Sequence, residues 1–516
     1  MKKKLLSIIL ASTMAVGLLA GCGQDSSTVK SSAEKESEKS ESVEKNSEVK
    51  EEPKEPIIIS WYCQKPIAKM EQEEEVEEYI NEIIYPQTGA KIDFHFIDSG
   101  SYDEKMNAMI SAGEEFDICF SCSWLNVFYD NAVRGAFMDI TDLLPQYAPD
   151  ILAKSDDYVW DTVTIDGAIY GIPGQGAYAQ TASIVIKKDL VEKYDFDYEN
   201  VKTYEDFEPF FEQILENETG VTPVLVTANR GMASFADSKY TDDSITGLVF
   251  DEEKQEYVTW LEKEDAQEYR EVLYDWYGKG YIPKDAIAKT DFSAEAKSGK
   301  YAVLPSTGSY SADGEKSTTM YGFDCVEILA STSCITNGGV TSQGNAISAT
   351  SKHPEKALEV LNLVWKDPEI SNTIAYGIEG INYVIDEERS TDEMKSIIPD
   401  AGDEQTWAFW HNWVGPLWDQ WDSTWNRVEA LEQMQQDNAM ATAGSTLGFY
   451  FDNSSVKTEI AAVSSVLKEV KPVFSTGSMP DFDKYYEETK ARLEEAGLEK
   501  IREEANRQFK EWKAKQ

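Results

Sequence analysis

The sequence predicts an α/β protein built as two lobes. At 516 residues the chain exceeds what one hydrophobic core serves, because single cores stop growing near about 250–300 residues. Short β-branched runs alternate with helical stretches along most of it, the pattern of a mostly parallel sheet with helices on its faces. Hydrophobic residues at 41% and aromatic residues at 11% suffice to fill two such cores.

The elements follow in order. Residues 57–62 (Ile-Ile-Ile-Ser-Trp-Tyr) form a β-rich run directly after Pro56, and 71–84 carry a helical charge pattern. Residues 91–97 alternate as a strand, 102–111 are helical, 115–120 form a buried strand and 126–134 another helix. A turn and strand at 166–173, a strand at 182–187 and a helix at 189–194 come next. A Thr203 cap opens the helix 203–216, ahead of a strand at 223–226. In 266–279 Tyr269, Val272, Leu273 and Trp276 recur at helical spacing. A strand at 301–304 and a helix at 355–365 follow, and 456–470 and 485–512 close the chain as long helices, the second broken at Gly497.

The first 21 residues place Lys2, Lys3 and Lys4 ahead of a brief apolar run, which reads as a secretory signal and not a spanning helix. The run ends in Leu19-Ala20-Gly21-Cys22, which resembles the bacterial lipoprotein signal, in which the cysteine is lipidated and becomes the new N-terminus. Residues 22–56 are then the lipidated Cys22 and a tether rich in Ser, Glu and Lys, without aromatics. Such a segment buries too little to offset its ordering entropy and acts as a spacer. The expectation is a protein held by lipid on the outer face of the cell membrane.

Charge and motifs exclude several classes. The 48 basic against 94 acidic side chains leave −46, which argues against nucleic-acid backbones and anionic lipid surfaces. Three histidines argue against a His-rich metal site or a His-based triad. There is no phosphate loop, no HExxH and no GxSxG. Gly174-Gln-Gly176-Ala-Tyr-Ala179 approximates a dinucleotide fingerprint without its strand–turn–helix context, so it reads as an interlobe segment. Cys119-Phe-Ser-Cys122 has redox spacing but no second pair or nearby His, and reads as buried hydrophobes. No enzyme activity and no cofactor are expected.

Aromatic placement is more telling. Six of the 13 tryptophans, from Trp407 to Trp425, fall within nineteen residues, with Pro416 dividing them into two expected short helices. Most read as core. Trp410 and Trp413, with His411 and Asn412 between them, are candidates for a cleft, because flat rings suit the apolar faces of sugars.

Three stretches then carry a resemblance. Asp166-Gly167…Tyr170…Ile172-Pro173, followed by Ser183-Ile-Val-Ile-Lys-Lys-Asp-Leu190, looks like the crossover of extracellular solute-binding proteins of ABC sugar importers. The run from Gln343-Gly-Asn-Ala-Ile to Leu361 is similar to that family's return strand and helix. Gly448-Phe-Tyr-Phe-Asp-Asn-Ser-Ser-Val-Lys-Thr-Glu-Ile-Ala461 resembles its larger lipoprotein subgroup in Firmicutes. The resemblance implies a two-lobed periplasmic-binding-protein-like fold in which the chain crosses between lobes more than once. Lobe one would be 57–175 with 343–385, and lobe two 176–342 with 386–516. It implies a ligand in the interlobe cleft, closure by hinge motion, ABC permease subunits as partners and a monomeric receptor.

Ligands of such sheets lie beyond the carboxyl ends of the strands. Trp61 and Tyr62 close the first strand as read, and Trp124 and Asn126 follow another strand end. Arg230, beside Asn229, follows the strand 223–226, and Glu379 sits between Gly377 and Gly380. Phe449 and Asp452 precede the C-terminal helices, a region that lines the cleft in the family resembled. The acidic balance favours a neutral oligosaccharide. Peptide or other small-solute binding, a surface glycosidase and a surface adhesin remain as alternatives.

Overall fold

The computed structural model describes residues 55–516, except 67–69, 181–182, 233–234, 236–240, 242–243, 262–263, 306–309, 312, 332–333 and 401–404. The signal segment, Cys22 and the tether lie outside the described residues.

The β-branched and aromatic run expected at 57–62 extends to Ile57–Lys65 and lies inside a five-stranded sheet. Its neighbours are the parallel strands Ala90–Asp98 and Ile118–Phe120. Gly344–Ile347 returns antiparallel beside Ile118–Phe120, and Ile172–Pro173 closes the far edge. Helix Glu73–Thr88 buries Val76, Ile80 and Ile84, and ends at Gly89, whose φ of 68° is left-handed. Helix Pro354–Lys366 turns Leu358, Leu361 and Trp365 onto the same core, with Ile59 and Trp61.

A second sheet has the order Cys325–Leu329, Ser183–Lys187, Tyr301–Pro305, Thr222–Val224. Its central strand Ser183–Lys187 is antiparallel to both neighbours. Phe210, Phe211 and Ile214 of helix Glu208–Asn217 pack on it with Trp276. Helices Lys457–Thr476, Phe482–Glu495 and Leu498–Lys513 build a third core against the hairpin Leu248–Asp251 and Glu256–Thr259. The break at Gly497 is real, with φ at 98°.

Three short strands, Ala179–Gln180, Cys334–Ile335 and Thr442–Ala443, pair into one ribbon. They belong to the three stretches of chain that connect the first sheet and its core to the second sheet and the C-terminal helices, so the ribbon is the joint of the two lobes.

The segment 386–425 departs from expectation. Trp407, Phe409 and Val414, read as part of lobe two, enter the core of the first sheet. The expected pair of helices is one short helix, His411–Val414, followed by a turn at Leu417–Asp419 and the strand Asp422–Ser423. Gly415 permits this sharp exit: its φ is 142°, and a Cβ there would lie 2.1 Å from the Trp365 ring nitrogen. Asp422–Ser423 joins Tyr383–Ile385 and Ser396–Pro399 in a small sheet on the flank of lobe one. The buried Asp422 carboxylate holds that sheet, accepting from Arg389 at 2.9 Å, Arg427 at 2.9 Å and Ser396 at 2.5 Å.

Candidate ligand site at the lobe joint

Three parallel strands end along one edge of the first sheet, at Lys65, Asp98 and Phe120. The turn after Phe120 is tightly built. Asn126 adopts a left-handed φ of 46°. Its side-chain amide donates to the Phe120 carbonyl at 3.0 Å and accepts from Asn131 at 2.9 Å. Its N–H donates to Asp103 at 2.6 Å, while its carbonyl accepts from Ser121 at 2.6 Å. A residue so engaged shapes the loop and has no free group for a ligand.

What the loop presents is Trp124, 50% exposed. Its indole N–H donates to the Ser342 carbonyl at 2.7 Å, next to the joint. Trp413 stands beside it, with ring centroids 6.3 Å apart, and is itself 5.0 Å from Phe120. Trp410, 43% exposed, leads into the same helix. The ledge is fixed from below: Asn345 donates to the Trp413 carbonyl at 2.9 Å and accepts from the Trp61 indole at 3.0 Å. Beside it the joint comes so close that a Cβ on Gly174 would lie 2.0 Å from the Asn412 carbonyl. That contact explains Gly174 without a dinucleotide.

Between loop 123–130 and residues 244–246 and 449–453 lies a cavity of about 230 Å³. It adjoins a groove of about 680 Å³ lined by Tyr129, Arg134, Asp452 and Lys457 among others. The larger volume is in the range of small-molecule sites, about 300–1,000 Å³. Tyr129 stacks on Tyr450 at 4.3 Å and 8°. Burial raises the Tyr129 hydroxyl pKa, and the Asp452, Asp166 and Asp130 charges add to the effect. The ring therefore stays neutral and can both donate and accept. Aromatic planes with hydroxyl, amide and carboxylate groups around an open gap are chemistry suited to a polyhydroxylated ligand.

The other expected residues are placed as follows. Trp61 is fully buried, because the strand runs on to Lys65 and places it mid-strand on the core face. Tyr62, also mid-strand, stacks on His95 at 4.3 Å. Phe449 is buried among the C-terminal helices. Asp452 is exposed in the groove, where its carboxylate accepts from the Ser454 N–H at 2.9 Å. Arg230 lies on the second lobe, its guanidinium 4.6 Å from the centre of the Phe292 ring. Glu379 is exposed near the flank sheet, bridged to Tyr383. The structure thus brings Trp124 and Trp413 together, while Trp410 stands exposed at the start of the same short helix. The sequence reading missed Tyr129 and Tyr450, although both lie within segments it had marked.

Burial pushes the Cys119 and Cys122 thiols up to about 12, with hydrogen bonds opposing it weakly. Thiols this weakly acidic are poor nucleophiles, which fits the packing role. Among the described residues no helix is long and apolar enough to cross a membrane.

The profile of the bacterial extracellular solute-binding protein family matches residues 71–367, more than half of the chain, and that of a domain of unknown function matches 445–514. A carbohydrate ABC transporter substrate-binding protein of Streptococcus pneumoniae serotype 4 is 28% identical over 465 residues, 87% of this chain and 91% of its own. The N-glycan transport solute binding protein of S. pneumoniae superposes with a TM-score of 0.77 at 25% identity, covering 88% of this chain and 98% of its own. Its complexes with Man1GlcNAc and Man5GlcNAc superpose at 0.67 and 0.64, with the same identity and with 99% and 98% of their own chains covered. An extracellular solute-binding protein from Bifidobacterium longum subsp. infantis, 14% identical, shares the fold at 0.61 over 88% of this chain and 98% of its own. The chain belongs to the bacterial extracellular solute-binding proteins.

Proposed function

We propose that this protein captures an oligosaccharide between its lobes and delivers it to the permease subunits of an ABC importer. The observation that carries the reading is the contact of Trp124 and Trp413 at the strand ends beside the joint, held from beneath by Asn345, with Trp124 and the preceding Trp410 of the short helix exposed to solvent. Stacking on such rings binds sugars through their C–H faces while the surrounding amides select hydroxyls. The pneumococcal matches, named for carbohydrate and N-glycan transport, support a glycan as the ligand.

The family places the protein outside the cytoplasm. We propose lipidation of Cys22 with 23–56 as the tether, a monomeric receptor, and a role in binding without catalysis. Lobe one is assigned 57–175 with 343–425, the extension to 425 following the packing of Trp407 and Val414. Cys22→Ala is expected to release the protein from membranes into the medium, and retention in the membrane fraction would refute the anchor.

The decisive measurement is thermal unfolding of the chain from residue 23 onward with Man1GlcNAc, Man5GlcNAc, monosaccharides and short peptides. A ligand bound only by the native state raises the midpoint, by about 2.7 kcal/mol of stabilisation at a hundred times Kd. A rise with a glycan recovered intact supports the reading. A rise with peptides alone replaces it, and hydrolysis of the glycan reveals an enzyme.

A further inference from the structure

We propose that the small flank sheet of lobe one is the surface on which the importer's membrane-spanning subunit docks. The inference rests on the importer role proposed above and concerns a face the sugar does not touch. In this sheet Val384 and Ile398 are direct cross-strand partners. Both point outward, at 53% and 42% exposed, and Ile381 in the preceding turn is 51% exposed. The other face is filled, since Tyr383 and Ile397 bury themselves with Tyr376 and Trp421. Val384 and Ile398, with Ile381 beside them, form an exposed apolar patch of the kind that marks a contact with a partner.

The rim indicates which partner. Glu369, Glu379, Glu387 and Glu388 are exposed around the patch; burial raises the Tyr383 pKa, and the Glu379 and Glu369 charges add to the effect. Of the cations at this sheet, Arg389 and Arg427 pair with Asp422, while Lys395 lies over the Trp421 ring at 3.6 Å and donates to the Tyr383 hydroxyl at 3.2 Å. An apolar centre with an acidic rim repels a second copy of this chain and repels anionic lipid. It fits a protein surface with an apolar patch flanked by Lys or Arg.

Position identifies that protein. Asn382 donates to Gln72 at 3.1 Å, and the Glu71 N–H donates to the Thr406 carbonyl at 3.0 Å. These bonds tie the flank sheet to the segment that follows Lys65, at the same end of the first sheet as the tryptophan ledge. A permease that receives a sugar from the ledge must approach this end. The Asp422 network with Arg389 and Arg427 keeps the patch rigid, so little ordering cost accompanies contact.

The test uses the full-length receptor with its importer in proteoliposomes, and Val384→Glu combined with Ile398→Glu. Man1GlcNAc affinity is expected to stay within about twofold of wild type, while receptor-stimulated ATP hydrolysis falls by about tenfold or more, as when the apolar centre of an interface is replaced. Leu215→Ser, an exposed apolar residue on the second lobe, serves as control and is expected to leave both readouts unchanged. Stimulation that survives the double substitution overturns the proposal. A photo-crosslinker at position 384 makes the result independent of the sugar: an adduct with the membrane subunit, absent when the crosslinker sits at 215, supports docking. No adduct at 384, or equal adducts at both positions, overturns it. Failure of wild type to bind any glycan in the first readout would instead defeat the functional reading alone.

Discussion

Trp61 lies within a strand and Trp124 in the loop past the end of the neighbouring strand, and the first is fully buried while the second is half exposed. They differ in where each strand stops. Pairing with Ala90–Asp98 continues through Gln64↔Ile97 and Lys65↔Asp98, so Trp61 is an interior residue whose indole bonds Asn345. Pairing beside Trp124 stops at Phe120, and the loop held by Asn126 turns the next tryptophan outward. A ring within the ladder stabilises the fold, whereas a ring past its end is free to bind.

The sharpest way to break this distinction is Trp61→Ala. It empties a fully buried site and is expected to cost about 3–5 kcal/mol of stability, measured by chemical unfolding. A loss below about 1 kcal/mol would mean that the site collapses and that Trp61 is not the anchor of the ledge.

Directly beside the ledge, His411 offers a pH-dependent version of the same test. Both of its ring nitrogens are buried without hydrogen-bond partners, and burial lowers its pKa to about 3. The unfolded chain takes up a proton near pH 6.5 while the folded chain resists it, so stability falls as pH drops from about 6.5 toward 3. At pH 5 the cost is about 2 kcal/mol, and above pH 7.5 it is absent. Unfolding of wild type and His411→Phe at the two pH values should show wild type losing about 2 kcal/mol relative to the variant between pH 7.5 and pH 5. Parallel curves would place the titrating group elsewhere.

Much of this was legible in the sequence. Alternating strands and helices gave the two sheets, and Trp124 was found by its place after a buried strand. The errors have one physical origin in long-range pairing. Gln64 and Lys65 look like loop residues by polarity, but a neighbouring strand recruits them. Phe449 looks like a cleft residue by position, but Tyr257 and Phe509, far away in sequence, bury it. The 396–425 segment carries the tryptophans of a core, but nothing local says which lobe owns that core. The Tyr129–Tyr450 stack is invisible for the same reason, since neither segment reports its partner.

The smallest change expected in the apo protein, and the most informative for function, comes from Trp124→Ala. The ring is half exposed and contributes one hydrogen bond to Ser342, so unfolding of the ligand-free protein should shift by no more than about 1 kcal/mol. If the ledge stacks a sugar, glycan affinity should fall by about tenfold, equivalent to about 1.4 kcal/mol. Trp413→Ala alone would remove both a stacking surface and a contact to Phe120, so its loss mixes stability with binding. The double variant measures the coupling: rings 6.3 Å apart that both pack on Phe120 are expected to be less than additive in affinity and in unfolding. Affinity losses that add fully would mean that the two rings touch the ligand independently, and unchanged affinity in Trp124→Ala would move the site into the groove beside Tyr129.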